Sequence, residues 1–323
     1  MSADSPLVSV VIPSYNSGRT LALCLRAVAA QTYAPIETIV VDDGSADGSA
    51  RVAESAGATV LRTGINSGQS VARNLGAAAA RGEILFFLDA DVALDPDSVR
   101  AAVDALRADP ALGAVSGVYA PEPLLATSLA ARYRSVQMHH FWLKHDTPTA
   151  GPHTSMFAIR SAVFAEIGPF NPRLRHTEPQ EYGGRLRLRY TTRVCRAVHG
   201  RHDHEATLRE LLPKVFRRAR ASMLEYRPGG ELGGTPSRAL ASGLVLGALL
   251  ALPLPLVAGP AGGVVALALI GASVALDAGT YRAVFADRGP LFGAYFVLAH
   301  LVFQTTAAAG AATGVLQRAL TRR

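Results

Sequence analysis

The chain has 323 residues and a formal net charge of +7, with 49% hydrophobic and 18% charged residues. That length excludes a domain too small to bury a core, and the low charge content points to membrane segments. Two distant cysteines, Cys24 and Cys195, exclude a disulfide framework and a cysteine-based metal site, and they suit a reducing cytosolic setting for the polar part.

The N-terminal residues Met1–Pro6 lack a basic stretch followed by a long apolar one, so no secretory signal is expected there. Val8–Pro13 reads as a buried strand, followed by the loop Ser14–Gly18. Thr20 is placed to cap a helix over Leu21–Ala30. Ile36–Val41 is a second buried strand that ends at Asp42-Asp43-Gly44-Ser45, and Ser49–Ala56 is helical. Thr59–Leu61 is a short third strand. A glycine-bearing loop over Gly64–Ser70 leads into a helix over Val71–Ala80. Glu83–Leu88 is a fourth strand, ending at Asp89-Ala90-Asp91, and the next helix begins near Pro96 and runs to Ala108. Strands alternating with helices at this spacing imply parallel βαβ units. The fold class is therefore α/β, a mostly parallel, Rossmann-like sheet flanked by helices.

Both acidic clusters fall at carboxyl ends of strands, where an open α/β sheet binds its ligand. Two aspartates one residue apart suit a hard divalent cation that also holds phosphate oxygens. The alternative role for either cluster is a turn or a helix cap.

Charge is uneven along the chain. Arg173–Arg227 carries fourteen Arg/Lys against six Asp/Glu, a local excess larger than that of the whole protein. A basic amphipathic helix is expected over about 207–227. It immediately precedes an uncharged stretch from Ala239 to Val274, which favours an anionic leaflet or lipid phosphate over nucleic acid. That stretch suits two membrane helices, roughly 239–257 and 262–280, broken near Pro253, Pro255 and Pro260. A loop is expected over Tyr281–Arg288, then a third apolar stretch over Leu291–Leu316. The expected organisation is a catalytic domain over 1–230 and a membrane region over 231–323 with two to three apolar helices. Arginines before the first span and in the 281–288 loop place both on the cytosolic side. Three full crossings would then put the basic C-terminus outside, against the same tendency.

Four segments in order resemble glycosyltransferase family 2: Val10–Asn16, Val41–Ser45, Asn66-Ser67-Gly68 with Ala72-Arg73-Asn74, and Phe87–Asp91. The resemblance covers about residues 7–225. It implies the GT-A fold, a nucleotide-sugar donor (UDP-linked is the first expectation), Mg2+ or Mn2+, and inversion at the anomeric carbon. It implies that Pro13, Tyr15 and Asp42 receive the base and ribose, and that Asp43 binds sugar or shapes its loop. Gly68 and Arg73 would approach the diphosphate. Asp89 would serve the ribose and metal, Asp91 would ligate the metal, and His202 or His204 would complete the metal shell. His139, His140, His145 and His153 have no such support and are expected on surfaces or near the acceptor.

One departure bears on the chemistry. The family's Glu-Asp pair aligns with Glu178-Pro179, so the usual catalytic aspartate is absent and Glu178 or Glu181 is the expected general base. An already ionised phosphate acceptor would lessen the need for one. The Gln-x-x-Arg-Trp motif of processive synthases is also missing, the only tryptophan being Trp142, which implies single-sugar transfer. The expected acceptor is a lipid or lipid-linked sugar, and the expected location is a bacterial inner membrane, multi-pass, with the catalytic domain cytosolic. A catalytically degenerate scaffold and a nucleotidyltransferase are the competing readings.

Overall fold

The computed structural model describes residues 5–144, 153–225, 236–251 and 260–321. The chain divides into two compact units, Met1–Thr127 with Arg134–His204, and Ser128–Tyr133 with Glu205–Arg323.

The first unit is built on an eight-stranded sheet of order β3-β2-β1-β4-β7-β6-β8-β5. Its strands are β1 (Val8–Ser14), β2 (Ile36–Asp42), β3 (Thr59–Arg62), β4 (Ile84–Leu88), β5 (Val92–Leu94), β6 (Leu112–Tyr119), β7 (Met156–Arg160) and β8 (Thr191–His202). β1 pairs in parallel with β2 and β4, and β2 with β3, as the βαβ spacing requires. β7 then runs antiparallel to both β4 and β6, and β5 antiparallel to β8. The apolar runs of β1 and β4 are buried on both faces because helices cover the sheet from either side. They include α1 (Leu21–Ala29), α3 (Gln69–Ala79), α4 (Ser98–Ala108) and α7 (Glu178–Arg187).

Helix α1 buries Leu21, Cys24, Leu25 and Val28, one stripe at helical spacing, in a core shared with β1, β4 and α4. Thr20 does occupy the N-cap position, but its hydroxyl donates to Ser17 O at 3.3 Å rather than capping the helix. The opposite face of the sheet is closed by Phe87, Phe157, Phe170 and Tyr182. Phe87 is fully buried, with its ring 5.3 Å from Phe170 in an edge-to-face pair, so truncating it to alanine would cost about 3–5 kcal/mol.

The second unit takes the start of α5 (Leu129–Lys144), then α8 (Leu208–Glu225), α9 (Pro236–Ala251), α10 (Pro260–Leu276) and α11 (Ala278–Thr321). The unit boundary at His204 thus places the basic helix with the C-terminal helices. Residues 281–288, expected as a loop, are helical: no breaker occurs before Gly289-Pro290, where α11 kinks at a glycine φ of 81°. Pro253 and Pro255 lie outside the described residues. Among the described residues α11 alone is long and apolar enough to cross a membrane; α9 and α10 are apolar but shorter.

Candidate active site

The first acidic cluster sits where β1 and β2 end side by side. Asp43 N donates to Ser14 O at 2.8 Å, which holds the two strand ends together. Asp43 is buried, and its carboxylate accepts three bonds: from Thr63 Oγ1 at 2.7 Å, Ser67 N at 2.9 Å and Gly68 N at 2.7 Å. Asp42 is also buried, but its carboxylate accepts only from Ser45 N, at 3.2 Å. Gly44 turns the chain at a φ of +80°, and a Cβ there would lie 2.8 Å from the carbonyl carbon of Ile65. Only glycine permits that approach. Pro13 is half-buried and pairs with Val41, while Tyr15 beyond it is 48% exposed.

The loops after β1 and β2 are stitched together. Asn16 N donates to Ser45 Oγ, Ala46 N to Asn16 Oδ1, Ser17 N to Ser49 Oγ and Gly18 N to Asp47 Oδ2, all at 2.8–3.0 Å.

The second cluster follows β4. Asp89 accepts from Arg73 Nη2 at 2.8 Å on one oxygen and from Ser155 Oγ at 2.6 Å on the other, while Asp89 N donates to Ser155 O at 3.1 Å. Ser155 arrives there because β7 runs antiparallel beside β4, putting the residue before Met156 next to the end of β4. Arg73 is 1% exposed, lies over the Phe170 ring at 5.8 Å and reaches Glu178 Oε1 at 3.7 Å. Gly68, at a φ of +97°, precedes its helix α3. Burial opposes charge on Asp89, but Arg73, Ser155 and His202 outweigh it and hold the carboxyl below its ordinary range.

Asp91 behaves in the opposite way. Its side chain is 42% exposed, and it faces His202 Nε2 at 3.5 Å. Desolvation by the surrounding protein pushes its pKa up; His202 opposes this, and the charges of Asp89 and Asp203 add to it. Asp203 N donates to Asp91 O at 2.9 Å. His204 stacks on His202 with centroids 4.3 Å apart, and Tyr119 meets both rings edge-on. Burial holds His204 well below the usual histidine range, so it is neutral. His153, expected on a surface or near the acceptor, is instead buried: its ring bonds Gly117 O at 2.5 Å, and burial lowers it to about 4.

Among the described residues no three His, Cys, Asp or Glu side chains converge into a metal-holding group. The donors present are a carboxylate and an imidazole, Asp91 and His202. His202 Nδ1 is buried without a partner. Such a pair fits a cation that takes its remaining ligands from a diphosphate and water, as Mg2+ does.

On the far side, Glu178 is 1% exposed, accepts a bond from Gln69 Nε2 and leaves Oε2 without a partner. Burial raises its pKa, with Arg73 pulling the other way. Glu181 is gripped by Arg185 through Nε at 2.8 Å and Nη2 at 3.0 Å. Pro179 sits in the first turn of α7, where a missing N–H is harmless.

Residues 9–168 match the model described as glycosyl transferase family 2. They form a glycosyltransferase family 2 domain. Curated relatives include an uncharacterized glycosyltransferase of Nostoc sp. PCC 7120, 36% identical over 183 residues, 51% of this chain and 54% of the relative. Glycosyltransferase AglE of Haloferax volcanii is 30% identical over 53% of this chain and 58% of its own. Glycosyltransferase GlyG of Streptococcus pneumoniae is 38% identical over 27% of this chain and 31% of its own. The chain thus spans from about a third to less than two thirds of these relatives. A solved mannosyltransferase of Pyrobaculum calidifontis, in complex with GDP-Man and Mn2+, superposes with a TM-score of 0.62 at 20% identity, over 98% of this chain and 89% of that one. The glycosyltransferase domain therefore has the GT-A fold.

The strand-end aspartates, Arg73 and Glu178 all belong to the first unit, where Arg73 links Asp89 and Glu178. Sequence reasoning missed Ser155, Gln69 and Tyr119. The Ser155 position was readable only with the β4–β7 pairing in hand.

Proposed function

We infer that the protein is an inverting glycosyltransferase that moves one sugar from a nucleoside-diphosphate sugar to a lipid or lipid-phosphate acceptor at a bacterial inner membrane, with its catalytic unit in the cytosol. The observation that carries this reading is the division within Asp89-Ala90-Asp91: one carboxylate is fixed by Arg73 and Ser155 while the other stays open beside His202. Asp91 and His202 would hold Mg2+ or Mn2+, which neutralises the departing diphosphate. The Mn2+ and GDP-mannose named for the Pyrobaculum neighbour support the donor class and the cation. Asp42, with a carboxylate oxygen left open, receives the base or ribose beside Pro13 and Tyr15. Asp43 shapes the loop, since three protein donors already occupy its carboxylate. Gly68 leaves room for the diphosphate. Arg73 sets Asp89 and Glu178. His204 backs the His202 ring.

Glu178 is the better placed general base: its Oε2 is unpartnered and burial moves its pKa up from the ordinary glutamate value, whereas Glu181 is committed to Arg185. A raised pKa means that the active, ionised base accumulates only above that raised value, so the acid limb of the rate profile lies above the ordinary glutamate range. Glu178→Gln should lower turnover about 10²–10⁴-fold and abolish that limb. Unchanged turnover would mean that the acceptor brings its own negative charge, as a phosphate does.

The test is binding and turnover by the detergent-solubilised protein with UDP, GDP, TDP and CMP and their sugars, with and without Mn2+. A selective, metal-dependent stabilisation lost in Asp91→Asn supports the reading. No stabilisation by any nucleotide would favour a degenerate scaffold instead.

A further inference from the structure

The second unit contains the helix that passes for a membrane span, and its contacts within that unit bear on whether it crosses. Near its N-terminal side, Phe292 of α11 lies under the Arg132 guanidinium at 5.0 Å, and His300 Nδ1 meets Tyr133 OH at 3.0 Å. Both partners belong to the start of α5. Near the C-terminal end, α11 packs on α8 almost backbone to backbone. A Cβ on Gly310 would lie 2.5 Å from Phe216 O, and one on Gly314 would lie 2.6 Å from Arg220 O. Arg220 Nε donates to Gln317 Oε1 at 2.9 Å, and Arg318 Nη1 to Met223 O at 3.2 Å. The contacts advance together, 216 to 223 against 310 to 318, so the two helices run in the same direction.

Helix α8 cannot lie in hydrocarbon. Its exposed face carries Arg209, Lys214, Arg217 and Arg218, and its buried face holds only Leu211 and Val215. A charged side chain at the bilayer centre is unfavourable by several kcal/mol in the milder scales. The stretch of α11 fastened to α8 therefore does not pass through the bilayer core either. The stretch from Phe292 to His300 is covered by the arginine-bearing start of α5. What remains between them, residues 301–309, rises about 14 Å, against a hydrocarbon core of about 30 Å.

The exposed residues of α11 complete the picture. Leu291, Leu298 and Val302 after the kink and Leu316 and Leu320 near the C-terminal end are spaced at near-multiples of the helical repeat and fall on one face of the helix. A basic helix and an apolar stripe in one unit match an anionic lipid surface, the basic residues meeting headgroups and the stripe meeting acyl chains. Helices α9 and α10 form the element left to insert. Ser273 Oγ joins Ala241 O at 3.2 Å and Gln304 Oε1 at 3.0 Å, so the start of α9 and the end of α10 both return to the middle of α11.

We propose that α11 lies along the surface of an anionic bilayer and does not cross it, with α9 and α10 entering and leaving on one face, so that both ends of the chain are on the same side. This rests on the membrane reading above, and it removes the conflict between three crossings and the basic C-terminus. The test uses the full-length chain with an epitope tag at each end, expressed in bacterial membranes. After a carbonate wash, right-side-out and inside-out vesicles are treated with protease. Both tags should be cut in inside-out vesicles and both protected in right-side-out ones. A C-terminal tag cut in right-side-out vesicles would overturn the in-plane helix while leaving membrane attachment standing. Recovery of the chain in the soluble fraction before any wash would overturn the membrane reading itself.

Discussion

The two acidic clusters use the same residue type in opposite order. In Asp42-Asp43 the second aspartate is consumed by its own scaffold and the first keeps an open oxygen. In Asp89-Ala90-Asp91 the first is consumed and the second is open. In both, the consumed carboxylate fixes the loop from which the other projects. Carboxylates that look interchangeable in the sequence therefore divide into one that positions its loop and one left open, and substitutions should separate the two.

The largest expected effect is on Asp89. Replacing it with asparagine takes from the 1% exposed Arg73 its closest carboxylate and leaves it Glu178 at 3.7 Å, which should destabilise the first unit by about 3 kcal/mol in denaturant titration. Asp91→Asn should leave that stability unchanged while lowering metal-dependent turnover about 10²–10³-fold, several kcal/mol of transition-state stabilisation. If the two variants behaved alike, the division of roles would be wrong. Asp43→Asn should cost about 2 kcal/mol of stability, because an amide cannot accept from both Ser67 N and Gly68 N as the carboxylate does. Asp42→Asn should instead be silent in denaturant and raise the donor KM. The smallest effect is at Ser155: alanine there removes one of the two anchors of Asp89 and should cost about 1 kcal/mol, with Arg73 retaining the carboxylate.

The left side of the sheet was legible because its information is local. Each apolar run from Val8, Ile36 and Ile84 ends in a polar loop and is followed by a helix at βαβ spacing, so strand ends and their aspartates could be placed together. The right side depends on pairings between distant segments. β7 inserts antiparallel between β4 and β6, and β5 finds β8 across a hundred residues. Nothing near Ser155 announces that it will sit beside Asp89. The same limit applies to Glu178 and Glu181, one turn apart in sequence, where only the partners Arg73, Gln69 and Arg185 distinguish a buried, raised carboxyl from a surface ion pair. In the second unit the apolar runs were visible, but the helical state of residues 281–288 was not, because arginine and aspartate there suggested a loop although no residue before Gly289 breaks a helix.

The loops after β1 and β2 cannot respond to a nucleotide independently. With Asn16, Ser17 and Gly18 bonded to Ser45, Ala46, Asp47 and Ser49, the wall proposed to meet the base is one preformed surface contributed by two segments some thirty residues apart. Little ordering entropy is lost when a base docks there. Retooling the pocket from one base to another would require matched changes on both loops, so altered donor choice should arise by paired substitutions rather than single ones.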